Sequence, residues 1–552
     1  VMRGSGSALF GSSAIAGTIN IITKEPMRNS GMLSHTITGI GDGDVFDNST
    51  ALNASLVTDD QRAGLYIFGQ NRHRSAYDHD GDGYSEIPKL HGQTIGFRSF
   101  LKTTTYSKLT FEYHHMEEFR RGGDLLNRPP HEANVAEQTE HSINGGGLKF
   151  DYFSPNENHR FNVFASAQHI NRDSYYGPGD RDPLDAYGNT TDLNWMAGSQ
   201  YVYSFGKCIF MPSDLTAGIE FNQDKLEDNM WGYNRTVDQK VNIGSAFLQN
   251  EWKNDHWGFL IGGRLDKHNL IDHVIFSPRA NLRYNPTENI NLRFSYSSGF
   301  RAPQAFDEDL HVENVGGNVA MVELADNLKE ERSQSLSASA DIYHRFGAFQ
   351  VNFLVEGFYT KLSDVFALTD GEVVDGILTR TRYNAPGARV MGLTLEGKMA
   401  YLTKFQVQAG VTLQQSHYSE PHVWNKEAPA VKKMMRTPNT YGYFTATYTP
   451  IKPLSIALSG TYTGSMLVPH EPVPGFLENP ITVNTKDFFD IGLKAAYDFK
   501  LYKSMNLQLN AGIQNIFNAY QDDFDKGADR DSGYIYGPSL PRSFFAGVKI
   551  SY

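Results

Sequence analysis

The sequence predicts an all-β fold: an antiparallel barrel of about 22 strands that crosses a bacterial outer membrane. Three observations carry that expectation. Many segments alternate apolar and polar residues with a period of two. The connections between them alternate between short turns and long charged stretches. The chain closes on a strand whose last residue is aromatic, Tyr552.

The closing segment SFFAGVKISY shows the pattern most clearly. Phe544, Ala546, Val548, Ile550 and Tyr552 point one way, and Ser543, Phe545, Gly547, Lys549 and Ser551 point the other. A strand with an apolar outer face and a small or polar inner face suits a barrel with lipid outside and a wet lumen. DFFDIGLKAAYDFK repeats it, with Phe489, Ile491, Leu493, Ala495, Tyr497 and Phe499 opposing Asp490, Gly492, Lys494, Ala496 and Asp498. LSIALSGTYT (Leu454, Ile456, Leu458) and NINLRFSYSS (Leu292, Phe294, Tyr296) follow the same rule. One such strand fits a soluble sandwich; their repetition does not.

Short polar turns are expected at Thr58–Arg62, Pro155–Asn158, Asn254–His256, Pro286–Asn289 and Leu501–Ser504. Long loops are expected at about Asp78–His91, Arg120–His141, Tyr176–Asn194, Arg301–Ser333, Ala367–Arg382, Ser419–Arg436 and Tyr520–Pro541. Turns at one rim and long loops at the other are the asymmetry of outer-membrane barrels. A barrel of this width encloses a lumen that needs a plug.

Composition narrows the class. Gly 51, Tyr 29 and Phe 35 match many strands, turns and aromatic girdles. Mean hydropathy is −0.44, and no stretch approaches the roughly 18 apolar residues of a spanning helix. A net charge of −12 argues against nucleic acid as a partner. The single cysteine, Cys208, excludes an internal disulfide and an all-cysteine metal site. No GxSxG, HExxH, GxxxxGK[ST] or CxxC motif occurs, so the chain is not expected to be an enzyme.

The first residues, VMRGSGSALFGSSAIAGTINIITKEP, do not read as a barrel strand. They resemble the end of the plug domain of TonB-dependent outer-membrane receptors, with Arg3, Gly4, Ser7, Ala8, Leu9, Gly11, Ala14, Gly17, Ile19, Asn20, Ile21 and Thr23 on the family pattern. Phe10 replaces the usual Tyr and Ala16 a usual Gly. GFRAPQAFDEDLH (Gly299–His311) resembles the family's FRAP box. NLKEERS (Asn327–Ser333) partly resembles the box that follows, with Ala325-Asp326 where Asn-Pro is usual. GIQNIFNAY (Gly512–Tyr520) resembles the penultimate-strand signature, and the last loop resembles receptors of the Bacteroidetes. The resemblance implies residues 1–26 as the end of a plug and residues 27–552 as the barrel. Because Val1 falls inside a motif, an N-terminally truncated chain is expected, without the segment that TonB engages.

The same resemblance implies TonB-dependent import of a scarce metal chelate: cobalamin, haem or an iron–siderophore. The implied partners are TonB, that chelate, a surface lipoprotein, and the lipid and lipopolysaccharide of the outer membrane. A passive porin-like channel and an outer-membrane barrel enzyme are the rival readings.

The sharpest local motif is Asp78-His79-Asp80-Gly81-Asp82-Gly83-Tyr84-Ser85-Glu86. Carboxylates at positions 1, 3 and 5, Gly at 6, a backbone carbonyl at Tyr84 and Glu86 at position 9 match the first part of a calcium loop. Lys89 occupies position 12, where the bidentate carboxylate belongs, so another loop would have to complete the site. A solvated acidic turn is the alternative. The acidic cluster Asp522, Asp523, Asp525, Asp529 and Asp531 interleaves with Lys526, Arg530 and Arg542, which predicts salt bridges within that loop; Asp307, Glu308 and Asp309 beside Arg301 read the same way. His311 lies in the interval where the family's haem transporters carry a histidine, against the plainer reading of a polar loop residue. Trp231, Tyr233, Trp424 and Tyr534 are the aromatic residues expected to meet the ligand.

Overall fold

A computed structural model of the chain describes residues 2–3, 6, 11–12, 14–15, 17–20, 25–178, 186–315, 318–369 and 371–552. Its strands close into a 22-stranded antiparallel barrel. The seam is made by Ser30–Ile40 and Ser543–Ser551, with Leu33 opposite Ile550, His35 opposite Val548 and Gly39 opposite Phe544. Closure removes the unpaired edge that lipid could not solvate.

The period-2 pattern takes the direction that physics requires. Phe544, Val548 and Ile550 are 43%, 37% and 38% exposed on the outer surface, as are Phe489, Leu493, Tyr497 and Phe499 of the strand Phe488–Tyr502. Inner faces carry polar pairs such as Thr394 and Thr412, whose hydroxyls stand 3.0 Å apart across neighbouring strands. Apolar side chains outside and polar ones inside invert a soluble protein, because here the hydrocarbon surrounds the chain.

One rim has only tight turns, among them Thr58–Arg62 and Asn254–His256. Aromatic rings crowd it: Trp257 stacks on Tyr284 with centroids 4.2 Å apart, Phe210 on Trp252 at 5.7 Å, and Phe349 meets Tyr401 at 4.6 Å. Such rings favour the interface between lipid and water.

Most of the loops at the other rim are shorter than the sequence suggested, because their flanks continue as strand; the last one is longer, running from 515 to 542. Ile377–Tyr401 runs for 25 residues, twice what a tilted spanning strand needs. Arg120–His141 reduces to a connection between Gly123 and Val135. Above the bilayer both faces of a hairpin meet water, so the apolar alternation that marks a strand disappears while the backbone ladder continues. Part of the expected Tyr176–Asn194 loop, residues 179–185, lies outside the described residues.

Of the N-terminal segment, Met2–Arg3 pairs with Gly17–Thr18, and Gly6 N–H donates to Ala14 O at 2.7 Å. The motif positions Gly4, Ser7, Ala8, Leu9, Phe10, Ala16, Ile21 and Thr23 lie outside the described residues.

Candidate functional site

The wide mouth at the long-loop rim is the place where a large ligand could enter, and two features fill it. The first is the segment after the strand Ile290–Arg301. Phe300 and Ala302 are fully buried, and Asp307–Leu310 forms one helical turn. Asp309 closes that turn by accepting from Phe306 N–H at 2.9 Å. The Arg301 guanidinium lies 3.8 Å over the Phe306 ring and pairs with Glu308.

Arginines from distant strands hold this segment inside the mouth. Arg172 on His159–Pro178 reaches Asp307 at 3.1 Å and Thr190 at 3.1 Å, and Thr190 in turn donates to Asp228 at 2.6 Å. Arg382 on Ile377–Tyr401 pairs with Asp309 and with Glu308 at 3.3 Å, while Arg235 donates to Asp309 O. The expected pairing of Arg301 with its own acidic neighbours is present, but the larger part of the network comes from the wall. Downstream, Asn318–Leu324 pairs in parallel with residues 377–382.

The second feature is the N-terminal segment inside the lumen. A Cβ on Gly11 would stand 3.2 Å from Arg264 Nη2, so backbone and guanidinium are in close contact. Arg264 is fixed by Glu220 at 2.6 Å and Asp266 at 2.8 Å. A cavity of about 320 Å³ is lined by Gly11 and Ser12 of this segment, by Gln304 and Phe306 of the inward segment and by wall residues that include Arg264.

The acidic loop is organised but not as a lone calcium loop. Asp78 accepts from Gly81 N–H and Gly83 N–H at 2.7 and 2.8 Å, and Glu86 from His79 N–H at 2.6 Å. Asp78, Asp80 and Glu86 each place one carboxylate oxygen within 4.8 Å of the others, an arrangement that suits a hard cation. Asp82 is turned away: it pairs with Arg530 and accepts from Gly527 N–H at 2.8 Å. Tyr84 lies under the Arg530 guanidinium, 4.7 Å from its centroid. Arg530 also reaches Glu86 at 3.0 Å, and Lys526 approaches Asp80 at 3.5 Å. Burial pushes the Glu86 carboxyl up from its usual range.

The last loop therefore pairs outward, which corrects the expectation of salt bridges within it. Arg542 binds Asp42 at 2.7 Å, Lys486 binds Asp522 at 2.7 Å, and His470 meets Asp525 at 2.9 Å. Opposite charges two to five residues apart cannot all face one another in a loop pressed between neighbours, whereas the neighbouring loops present matching charges.

The expected ligand aromatics are placed variously. Trp231 is 66% exposed at the tip of its hairpin. Tyr233 is buried, its hydroxyl donating to Tyr176 O, and Trp424 is buried too. Tyr534 stacks on His470 with centroids 3.7 Å apart and donates to Asp523 at 2.9 Å. His311 is partly exposed; its ring meets the edge of Tyr176 at 5.2 Å, and Nδ1 lies 3.8 Å from Glu137. Sequence reasoning missed Arg172, Arg235 and Arg382, which carry no local motif. An arginine on a strand continuing above the bilayer is their one sequence mark.

Comparison with known proteins places this architecture. A family model described as TonB dependent receptor-like, beta-barrel matches residues 31–516. An iron-regulated outer membrane virulence protein of Vibrio cholerae serotype O1 is 25% identical over 336 residues, covering 58% of this chain and 46% of that protein. The chain thus matches less than half the length of that curated relative. Among solved structures, the siderophore receptor PirA of Acinetobacter baumannii superimposes with a TM-score of 0.76 at 16% identity, over 100% of this chain and 84% of that one. A variant of the ferric enterobactin receptor PfeA of Pseudomonas aeruginosa, in complex with enterobactin, gives 0.77 at 16% identity, over 100% and 85%. The ferric-catecholate import receptor Fiu of E. coli K12 gives 0.72 at 14% identity, over 100% and 86%.

Proposed function

Because the chain belongs to the TonB-dependent receptor family of outer-membrane β-barrels, we propose that it captures a scarce iron chelate at the cell surface and imports it with energy supplied through TonB. The observation that carries this reading is the obstructed lumen. The inward segment from Ala302 to Val312 occupies the mouth, and Gly11 packs on Arg264 beneath it. A passive porin needs an open water path, whereas an importer of a large ligand needs a path that opens on demand.

A siderophore is the favoured cargo. The curated relative is iron-regulated, and the structural neighbours are receptors for siderophores and ferric catecholates. The arginines of the mouth supply planar donors for an anionic chelate once their present carboxylate partners are displaced. Haem through His311 and cobalamin are the competing cargoes. Calcium has a structural place in the same reading, at Asp78, Asp80 and Glu86, with Asp82 withheld by Arg530. A surface lipoprotein would meet the loop tips, where Trp231 and Phe476 are 66% and 77% exposed.

The test is a titration of the purified protein with a ferric catechol chelate, haemin and cyanocobalamin, with and without calcium, followed by tryptophan fluorescence and absorbance. Saturable quenching by the ferric chelate alone is expected. A shifted Soret band lost in His311→Ala, or calcium-dependent cobalamin binding, would transfer the assignment to those ligands.

A further inference from the structure

The hairpin that carries the acidic turn Asp78–Glu86 has two histidines at its base. His73 lies near the top of the strand Ala63–Arg74, and His91 stands directly opposite it on Ser85–Thr104, one rung below Arg74 and Leu90. The two imidazole rings meet edge to face, with centroids 5.7 Å apart and planes at 73°. Both residues are exposed. So is Gln93, the next residue on the same face, whose amide nitrogen lies 3.4 Å from His91 Nε2.

The pair faces away from the lumen. His91 and Gln93 precede Ile95 on one face of their strand, and Asn71 and His73 follow Ile67 on theirs. Ile95 and Ile67 are 61% and 36% exposed in the outer apolar band. Arg72, between Asn71 and His73, points the other way and binds Asp47 at 2.6 Å. The rungs Asn71–Gln93 and His73–His91 therefore stand on the long-loop side of the outward isoleucines, where polar side chains replace apolar ones.

This geometry suits a shared metal ion. Opposed residues on antiparallel strands hold their Cβ atoms about 4.5–5.5 Å apart, so two imidazoles converge without moving the backbone. A tetrahedral ion about 2.0–2.1 Å from each ring nitrogen places the two ring centres about 5 Å apart. The observed separation is within a small side-chain rotation of that value. Gln93 can turn its amide oxygen to the same ion, and water can complete the coordination. Imidazole selects ions of the zinc and copper type, whereas the carboxylates of the acidic turn suit calcium. Glu117, opposite Gln93 on the next strand, brings an exposed carboxylate to this face. It offsets the Lys89 ammonium, which lies over the Phe119 ring at 5.8 Å.

We propose that His73 and His91, with Gln93 beside them, bind a divalent transition-metal ion of the zinc type on the outer wall, and that this ion fastens the base of the loop formed by residues 75–90. The site is outside the lumen and off the path of any cargo, so it stands apart from the cargo assigned above.

Isothermal titration with zinc of the detergent-solubilised chain, purified without a polyhistidine tag, tests this together with electron paramagnetic resonance of bound Cu²⁺. Zinc is expected to bind at one tight site, and copper to show two coordinated imidazole nitrogens. The double variant His73→Asn/His91→Asn should lose zinc affinity at least tenfold and lose the nitrogen signature, whereas Asp80→Asn should keep both. Bound zinc should slow hydrogen exchange of residues 75–90 at least threefold in the unaltered protein and leave it unchanged in the double variant. Heat-modifiable migration on gels checks that the variants fold. Zinc affinity unchanged in the double variant, loss of binding in Asp80→Asn, a copper signal without two nitrogens, or exchange indifferent to zinc would overturn the proposal.

Discussion

The Arg530 guanidinium stands 3.0 Å from the Glu86 carboxylate, joining the last surface loop to a loop 444 residues earlier in the chain. The same side chain holds Asp82 and covers Tyr84, so one arginine fastens two loops across the barrel seam. Glu86 is 2% exposed and Arg530 14%, so the pair is largely withdrawn from water.

Removing one partner of a buried pair leaves the other charge uncompensated, at a cost of roughly 3–5 kcal/mol. Arg530→Gln is therefore expected to loosen residues 75–86 and 515–542 without disturbing the barrel. Hydrogen exchange should show faster exchange in those loops alone. The variant should also bind calcium more tightly, because Asp82 and Glu86 lose their competing cation. Isothermal titration with calcium would read that gain, and an unchanged or weaker affinity would argue against Asp78, Asp80 and Glu86 as a cation site.

The inward segment gives a second expectation. Arg382 and Asp309 are 7% and 2% exposed, so Arg382→Gln strands a buried carboxylate. The segment Ala302–Val312 should then leave the mouth for part of the time. Protease cleavage near His311 should rise severalfold, while the melting temperature of the barrel stays within a few degrees.

The outward apolar band predicts an asymmetry between neighbours on one strand. Ile219 is 63% exposed to lipid, and Asn222 faces the lumen, where it donates to Asn194 at 3.3 Å. Ile219→Arg is expected to cost about 2–4 kcal/mol in refolding into bilayers, and Asn222→Arg under about 1 kcal/mol. Equal costs would contradict the assigned faces.

The packed loops should respond to pH. Burial pushes the Asp531 carboxyl up to about 6, above its value in an unfolded chain. A raised folded value means that the folded loop holds the proton more strongly, so this stabilising contribution is present at low pH and lost as pH rises through about 6. Limited proteolysis of residues 464–487 and 515–542 should therefore be slower at pH 5 than at pH 7.5, and Asp531→Asn should remove most of the difference.

Much of this was legible in the sequence where lipid imposes it. Phe544, Val548 and Ile550 announce their strand because one face must be apolar for its whole length. The start of Ile377–Tyr401, residues 377–382, reads as the end of the expected loop Ala367–Arg382; above the bilayer neither face has to be apolar, and Arg380 and Arg382 look like loop residues. The acidic motif at Asp78–Glu86 was visible, but Arg530 was not, since nothing local says which loop its charge will meet. Tyr233 and Tyr534 show the same limit: an aromatic residue in a loop serves loop packing as readily as a ligand.

The most direct measurement of the central claim is uptake of radiolabelled iron, presented as a ferric catechol chelate, by cells that carry or lack the gene, each with and without TonB. The account predicts uptake only where both the gene and TonB are present, falling when Arg172 and Arg382 are both changed to Gln. Uptake that persists without TonB, or free passage of small unrelated solutes through the protein, would contradict it.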